Sequence, residues 1–350
     1  MSARQSVRFS LHLSPMLPPL DLLGSAGAFE NTFRLAELVD ELGYHGGYLG
    51  HHSFHSEVGL PASPFVVLAG IAARTTNFRI GTGIHIANLH HPLAIAEHVQ
   101  QLDQISGGRV TLGVGVGYRR SEFDGFGVDF TTRGKRLTEM ITVWRNGWTT
   151  GTFEHDGPMF VIPPSPVWPP CVQKPHPPIM VGGTSAAAVT RAATLGDGWF
   201  TSNPLDPMSE VVEETRRYRE AAEAAGREPY ICLLRQAWVA PSEREVEEQW
   251  LDPALAFIRS YYQAGSRGAE DTDPILRRVV AGERPTCREF AHDRAIAGTP
   301  DFCVEQLGRW HERIGFDEVS LLFGGPKAYD SLATAYTLFA REVVPAFRDS

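Results

Sequence analysis

The stretch from Phe78 to Phe126 constrains the fold most, because its apolar pattern changes from strand period to helix period and back again. Phe78 to Ile86 is a short apolar run, interrupted by Gly81 and Gly83 and closed by a turn from Asn88 to Pro92. From Pro92 onward Leu93, Ala96, Val99 and Leu102 recur at helical spacing, with Glu97, Gln100 and Gln101 on the other face. Ser106-Gly107-Gly108 stops that helix, since glycine tolerates the left-handed C-cap. Arg109 to Gly117 then reads as a second buried strand in which Gly113, Gly115 and Gly117 alternate with branched residues. Glycine weakens a strand, so this alternation predicts a flat group, a ring system, lying against the backbone. Strand, crossover helix and strand make a right-handed βαβ unit, which requires a parallel sheet.

Composition narrows the class. The chain has 350 residues, 43% of them hydrophobic and 21% charged, which suits one large soluble domain with a sizeable core. No apolar run reaches membrane-spanning length, and the start runs directly into a strand without a secretory layout, so a cytoplasmic protein is expected. A net charge of −9 without a basic stripe argues against nucleic acid. Cys171, Cys232, Cys287 and Cys303 are scattered without CxxC spacing, so they read as reduced thiols and neither as a zinc site nor as a disulfide framework.

The central stretch also carries a resemblance. Leu102 to Arg109 has the form LxQISxGR, Leu112 to Tyr118 ends a strand as LGVGxGY, and Glu122 to Glu139 follows EFxxFGxxFxxRxxRLxE. Together these runs resemble the bacterial luciferase-like monooxygenases, and the similarity extends from Val7 to the end, most weakly between Pro241 and Ile296. The resemblance implies a (β/α)8 TIM barrel that binds a reduced flavin or a deazaflavin at the C-terminal ends of its strands. Residues 1–350 then form one domain, with 241–297 as an insertion or lid after the seventh strand.

Within that frame the candidate residues fall at strand ends. A loop from Ser14 to Gly27 either covers the barrel mouth or is a surface connection. Gly50-His51-His52 follows the second strand, where residues of this fold act, and imidazole exchanges protons near neutrality. The family has an acidic residue before two histidines here, and its first histidine assists flavin hydroperoxide chemistry, which implies that role for His51. Gly50 stands where the acid is usual, and His52 reads as a pocket or packing residue. His51 and His55 stand four apart, as a metal pair on a helix would, but they follow a strand and no carboxylate-His set completes them, so no metal is expected.

Gly83-Ile84 matches the family's non-proline cis peptide at the flavin face, the alternative being an ordinary strand with a packing glycine. Asn88, just beyond that strand, is a candidate polar neighbour of the cofactor. Tyr118 in the loop after Gly117 could pack on the flavin, and Arg119, Arg120, Arg133 and Arg136 are candidate phosphate partners. Gly115 and Val116 stand where the luciferases have a cysteine and a phosphate-binding arginine, so phosphate binding moves elsewhere or the cofactor differs; Gly115 itself is expected at the cofactor. The proline-rich segment from Gly151 to Pro178 reads as an extended arm or a wrapping linker. Gly182-Gly183-Thr184-Ser185, between a strand and the helix Ala186 to Leu195, is a ready phosphate cradle, or a plain N-cap. In the family this element holds the flavin phosphate, which implies contacts from Gly183, Thr184 and Ser185.

The leading expectation is a two-component flavin-dependent monooxygenase, a homodimer that takes reduced FMN from a separate flavin reductase and oxidises a small hydrophobic organic substrate. The first rival is a deazaflavin-dependent oxidoreductase that transfers hydride without oxygen. A flavin-binding protein that has lost catalysis is the third reading.

Overall fold

Eight short parallel strands close on themselves, and their order explains why so many strand ends meet at one mouth. The computed structural model describes residues 7–13, 25–54, 61–201, 203–263, 273–326 and 328–348. The chain runs through β1 (Arg8–His12), α1 (Ser25–Glu41), β2 (Gly46–Leu49), α2 (Pro64–Arg74), β3 (Arg79–Thr82), α3 (Pro92–Ser106) and β4 (Val110–Val114). There follow α4 (Arg120–Phe126), α5 (Arg133–Thr150), β5 (Thr152–Asp156), β6 (Val161–Pro166), β7 (Ile179–Gly182), α6 (Ala186–Leu195), β8 (Gly198–Phe200), α7 (Met208–Ala224) and β9 (Ile231–Val239). The last part holds α8 (Glu243–Val246), α9 (Asp252–Gln263), α10 (Pro274–Val280), α11 (Cys287–Ala291), β10 (Ile296–Gly298), α12 (Pro300–Ile314), β11 (Glu318–Phe323) and α13 (Tyr329–Glu342).

The sheet runs β9-β11-β1-β2-β3-β4-β7-β8, and β8 pairs back onto β9 to close a TIM barrel. Every one of these pairings is parallel. Strands enclosed on both faces must be apolar throughout; β2, β4 and β7 accordingly have no exposed residue. Between strands and helices lies one continuous core, with Trp144, Trp199, Trp238, Trp250 and Trp310 fully buried. A smaller cluster of Tyr48, Met180, Phe200 and Cys232 is separate from it, with Ile84 and Tyr230 packed against it. Beside it the buried Glu318 carboxylate accepts from Tyr48 Oη (2.9 Å), Tyr230 Oη (2.7 Å) and Ser10 Oγ.

Four details depart from the sequence reading. The proline-rich segment is not only an extended arm: Thr152–Asp156 and Val161–Pro166 pair as an antiparallel hairpin, where Pro163, Pro164 and Pro166 are tolerated because the sheet has only two strands. The segment after Tyr118 is a helix, α4, rather than a loop; its turn buries Phe123 against Ile86, Leu89 and Phe130, and Gly127 at φ 67 caps it. The end of the 241–297 region supplies a further strand, since β10 pairs with Ala237 to Val239 of β9. Three residues were too few to show a strand period.

The fourth concerns the glycines of β4. A Cβ at Gly113 would lie 2.0 Å from the Thr82 carbonyl oxygen and 3.2 Å from Phe200, so the chain's own backbone fills the space expected for a ring. A carbonyl held in a sheet cannot retreat by a full ångström. Gly113→Ala is therefore expected to lower unfolding free energy by about 3 kcal/mol, read by urea denaturation.

No helix among the described residues is long and apolar enough to cross a membrane.

Candidate active site

The C-terminal ends of β1 to β4 and β7 converge on one point, the peptide between Gly83 and Ile84. That peptide is cis, as the resemblance implies. The Gly83 carbonyl oxygen lies 2.7 Å from His12 Nε2, a residue at the end of β1 that the sequence did not single out. Ile84 sits where side chains at Gly115 and Gly182 would be, 2.8 Å and 3.1 Å from their hypothetical Cβ atoms. Gly115 thus makes room for Ile84, which accounts for it without a bound ring.

His51 follows β2 and is 3% exposed. Its Nδ1 accepts from the Ile86 backbone N–H at 3.2 Å, so a neutral ring carries its proton on Nε2, which faces Ser53 Oγ at 3.2 Å. Burial pushes its pKa down to about 4, with nearby Glu122 opposing and His90 and His52 adding to the fall. His51 is therefore a neutral donor at ordinary pH. It stacks at 4.4 Å on His85, which in turn lies parallel to His90 at 5.4 Å. Burial, and then the neighbouring histidines, hold the His85 pKa well below its usual value; its two ring nitrogens are buried with no hydrogen-bond partner among the described residues. Phe126 lies edge-on to His90 and also against the exposed Phe54, giving this end of the mouth an apolar rim.

His52 points the other way. Its Nδ1 donates to Glu122 Oε1 at 3.1 Å, and its Nε2 lies 3.5 Å from Tyr118 Oη. Glu122 is fully buried and also accepts from the Ser53 backbone N–H at 2.8 Å. Burial alone would raise its pKa, but the bonds from His52 and Ser53 outweigh it and the carboxyl is held below its usual range. Glu122 was missed at sequence level because its partner lies seventy positions earlier.

The other candidates divide. Tyr118 stands at the mouth beside His52. Asn88 is fully buried and its amide donates to the Val116 and Arg133 carbonyl oxygens, both at 3.0 Å, which ties β4's end to α5. The Arg133 guanidinium lies over Phe130, and Arg136 lies over Phe160 while donating to the Asn88 carbonyl. Arg119 lies near the Tyr118 ring, and the exposed Arg120 pairs with Asp124. His55 and residues 14–24 of the proposed mouth loop lie outside the described residues.

At β7's end, Gly183 takes φ +127, which L side chains rarely adopt, and its carbonyl accepts from Trp199 Nε1 at 2.8 Å. Thr184 is half-buried and Ser185 exposed; Ser185 caps α6 by accepting from Ala188 N–H. No acidic residue lies in that helix's first turn, so its free N–H groups meet an anion without repulsion. The residues therefore fit a phosphate.

The profile of the luciferase-like monooxygenases matches residues 12–318. The chain belongs to this family. It is 26% identical over 333 residues to the oxygenase component of a flavin-dependent trigonelline monooxygenase from Acinetobacter baylyi, covering 92% of this chain and 91% of that one. It superposes on the monooxygenase RslO1 from Streptomyces bottropensis with a TM-score of 0.80 and 28% identity, over 97% of this chain and 99% of that one. It shares its fold with a coenzyme F420-dependent tetrahydromethanopterin reductase from Methanopyrus kandleri, at a TM-score of 0.74 and 20% identity, over 98% and 99% of the two chains.

Proposed function

We propose that this chain is the oxygenase component of a two-component monooxygenase, receiving reduced FMN from a separate reductase and oxidising a small hydrophobic organic substrate in a cytoplasmic homodimer. The observation that carries the reading is the pairing of an anion-ready α6 terminus with a dry, neutral His51 at the same barrel mouth. Bound reduced flavin would supply two electrons, so that one oxygen atom enters the substrate and the other leaves as water. Thr184, Ser185 and the N–H groups of α6 would hold the phosphate. His51 would donate a hydrogen bond from Nε2–H, and the rim of Phe54 and Phe126 would hold substrate and keep water out.

Two titrations test this. Anaerobic titration of the full chain with reduced FMN and with a reduced deazaflavin is expected to show tighter binding of FMN, followed by oxygen-dependent product formation. Tighter binding of the deazaflavin, with hydride transfer and no oxygen uptake, would establish the rival reading, which Gly50 and Val116 favour by standing where the family has its acid and its phosphate arginine. The phosphate assignment has its own check. Thr184→Ala with Ser185→Ala is expected to weaken FMN about 10-fold, from about 1.4 kcal/mol of lost hydrogen bonding, and to leave riboflavin unaffected.

A further inference from the structure

Adjacent histidines at the mouth are held in opposite senses, and a buried carboxylate is the cause. His51 accepts a backbone N–H at Nδ1, so its Nε2 is a donor. An ionised carboxylate only accepts, so Glu122 requires the proton of His52 on Nδ1 and leaves a lone pair on Nε2, the nitrogen nearest the Tyr118 hydroxyl. Glu122 has the setting of an orienting group: it is fully buried, Oε1 receives two bonds, and Oε2 has no hydrogen-bond partner among the described residues. A buried charge in this setting costs stability.

We propose that Glu122 is a positioning residue that fixes His52 in its Nδ1–H tautomer, so that His52 and Tyr118 form one proton acceptor beside the His51 donor. In the step this allows, an acidic O–H or N–H of the bound substrate gives its proton to the Tyr118 oxygen while the Tyr118 proton passes to His52 Nε2. The substrate becomes an anion, and the imidazolium is matched by the Glu122 carboxylate. The carboxylate that Gly50 does not supply beside the histidine pair thus comes from α4.

The inference rests on reading this mouth as a reaction site, but its test needs neither cofactor nor substrate and so fails separately from that reading. Full-length protein carrying ¹⁵N-histidine, with His52→Asn to assign the signals, is expected to show His52 protonated at Nδ1. Glu122→Leu, which removes the acceptor, is expected to move population to the Nε2–H tautomer, whereas Glu122→Gln, whose Oε1 still accepts from His52 and Ser53, is expected to keep Nδ1–H with the melting temperature close to wild type. Tyr118→Phe is expected to shift the Nε2 resonance and leave Nδ1 in place. An Nε2–H tautomer in the wild type, or an Nδ1–H tautomer that persists in Glu122→Leu, overturns the proposal. Should Glu122→Leu not fold, an Nε2 resonance indifferent to Tyr118→Phe overturns it equally.

Discussion

Replacing His51 by asparagine is expected to cut turnover about 10²- to 10³-fold while leaving the Kd for reduced FMN within about twofold, the usual cost of deleting one preorganised donor. Asparagine isolates the donor because its Oδ1 falls near the place of Nδ1 and can still accept from the Ile86 N–H. Nothing in it replaces Nε2–H. His51→Ala removes both functions and adds an unsatisfied buried N–H, at about 1–3 kcal/mol, so its loss of rate mixes chemistry with folding. Single-turnover rates with reduced FMN and oxygen, beside Kd values for both variants, separate the two. Since burial holds the His51 pKa at about 4, its donor form persists from mildly acid pH upward, and no rise in rate near the usual imidazole pKa should come from this residue. Wild-type turnover in His51→Asn, with cofactor still bound, would take His51 out of the mechanism.

What the sequence made legible was what lies close along the chain. The helix Pro92–Ser106 was readable to the residue, since Pro92 opens it and Gly107 closes it in the left-handed region. The β7 strand, its Gly-Gly-Thr-Ser turn and α6 were readable for the same reason, each signal lying within a few residues of the next. Pairings across the barrel were not. Glu122 belongs with His52 only because β2, β3 and β4 lie side by side in a parallel sheet, which brings residues from successive βα units to one rim. His12 and His85 were passed over for a similar reason: a histidine at a strand end gains meaning from the groups facing it. Gly113 and Gly115 show the converse. Their spacing was visible, but the packing that requires them was not: Gly113 answers to the Thr82 carbonyl and Gly115 to Ile84. In a closed barrel a neighbouring strand can require a glycine as a ligand can.

The dryness of the histidine cluster carries a stability cost that should appear on acidification. A histidine whose folded pKa lies below its unfolded value binds fewer protons when folded, so its contribution to stability is full above the unfolded pKa and is lost as pH falls toward the folded one. For His51 the window runs from 6.5 down to about 4. At roughly 1.4 kcal/mol per unit this amounts to about 3 kcal/mol in all, and about 2 kcal/mol of it is gone by about pH 5. His85 acts in the same sense, its imidazole being more deeply buried and crowded by His51, His90 and His98. Carboxylates elsewhere also titrate in this range, so the wild-type slope alone does not isolate the cluster. A difference does: urea unfolding of wild type and His51→Asn at about pH 7.5 and pH 5 removes every contribution the two proteins share. The variant should lose about 2 kcal/mol less than the wild type between those conditions. Equal losses would mean that water or a facing carboxylate reaches His51 and keeps its pKa near the ordinary value. The Nε2–H donor would then no longer be fixed across the working pH range, and the role assigned to it would have to pass to another group at the mouth.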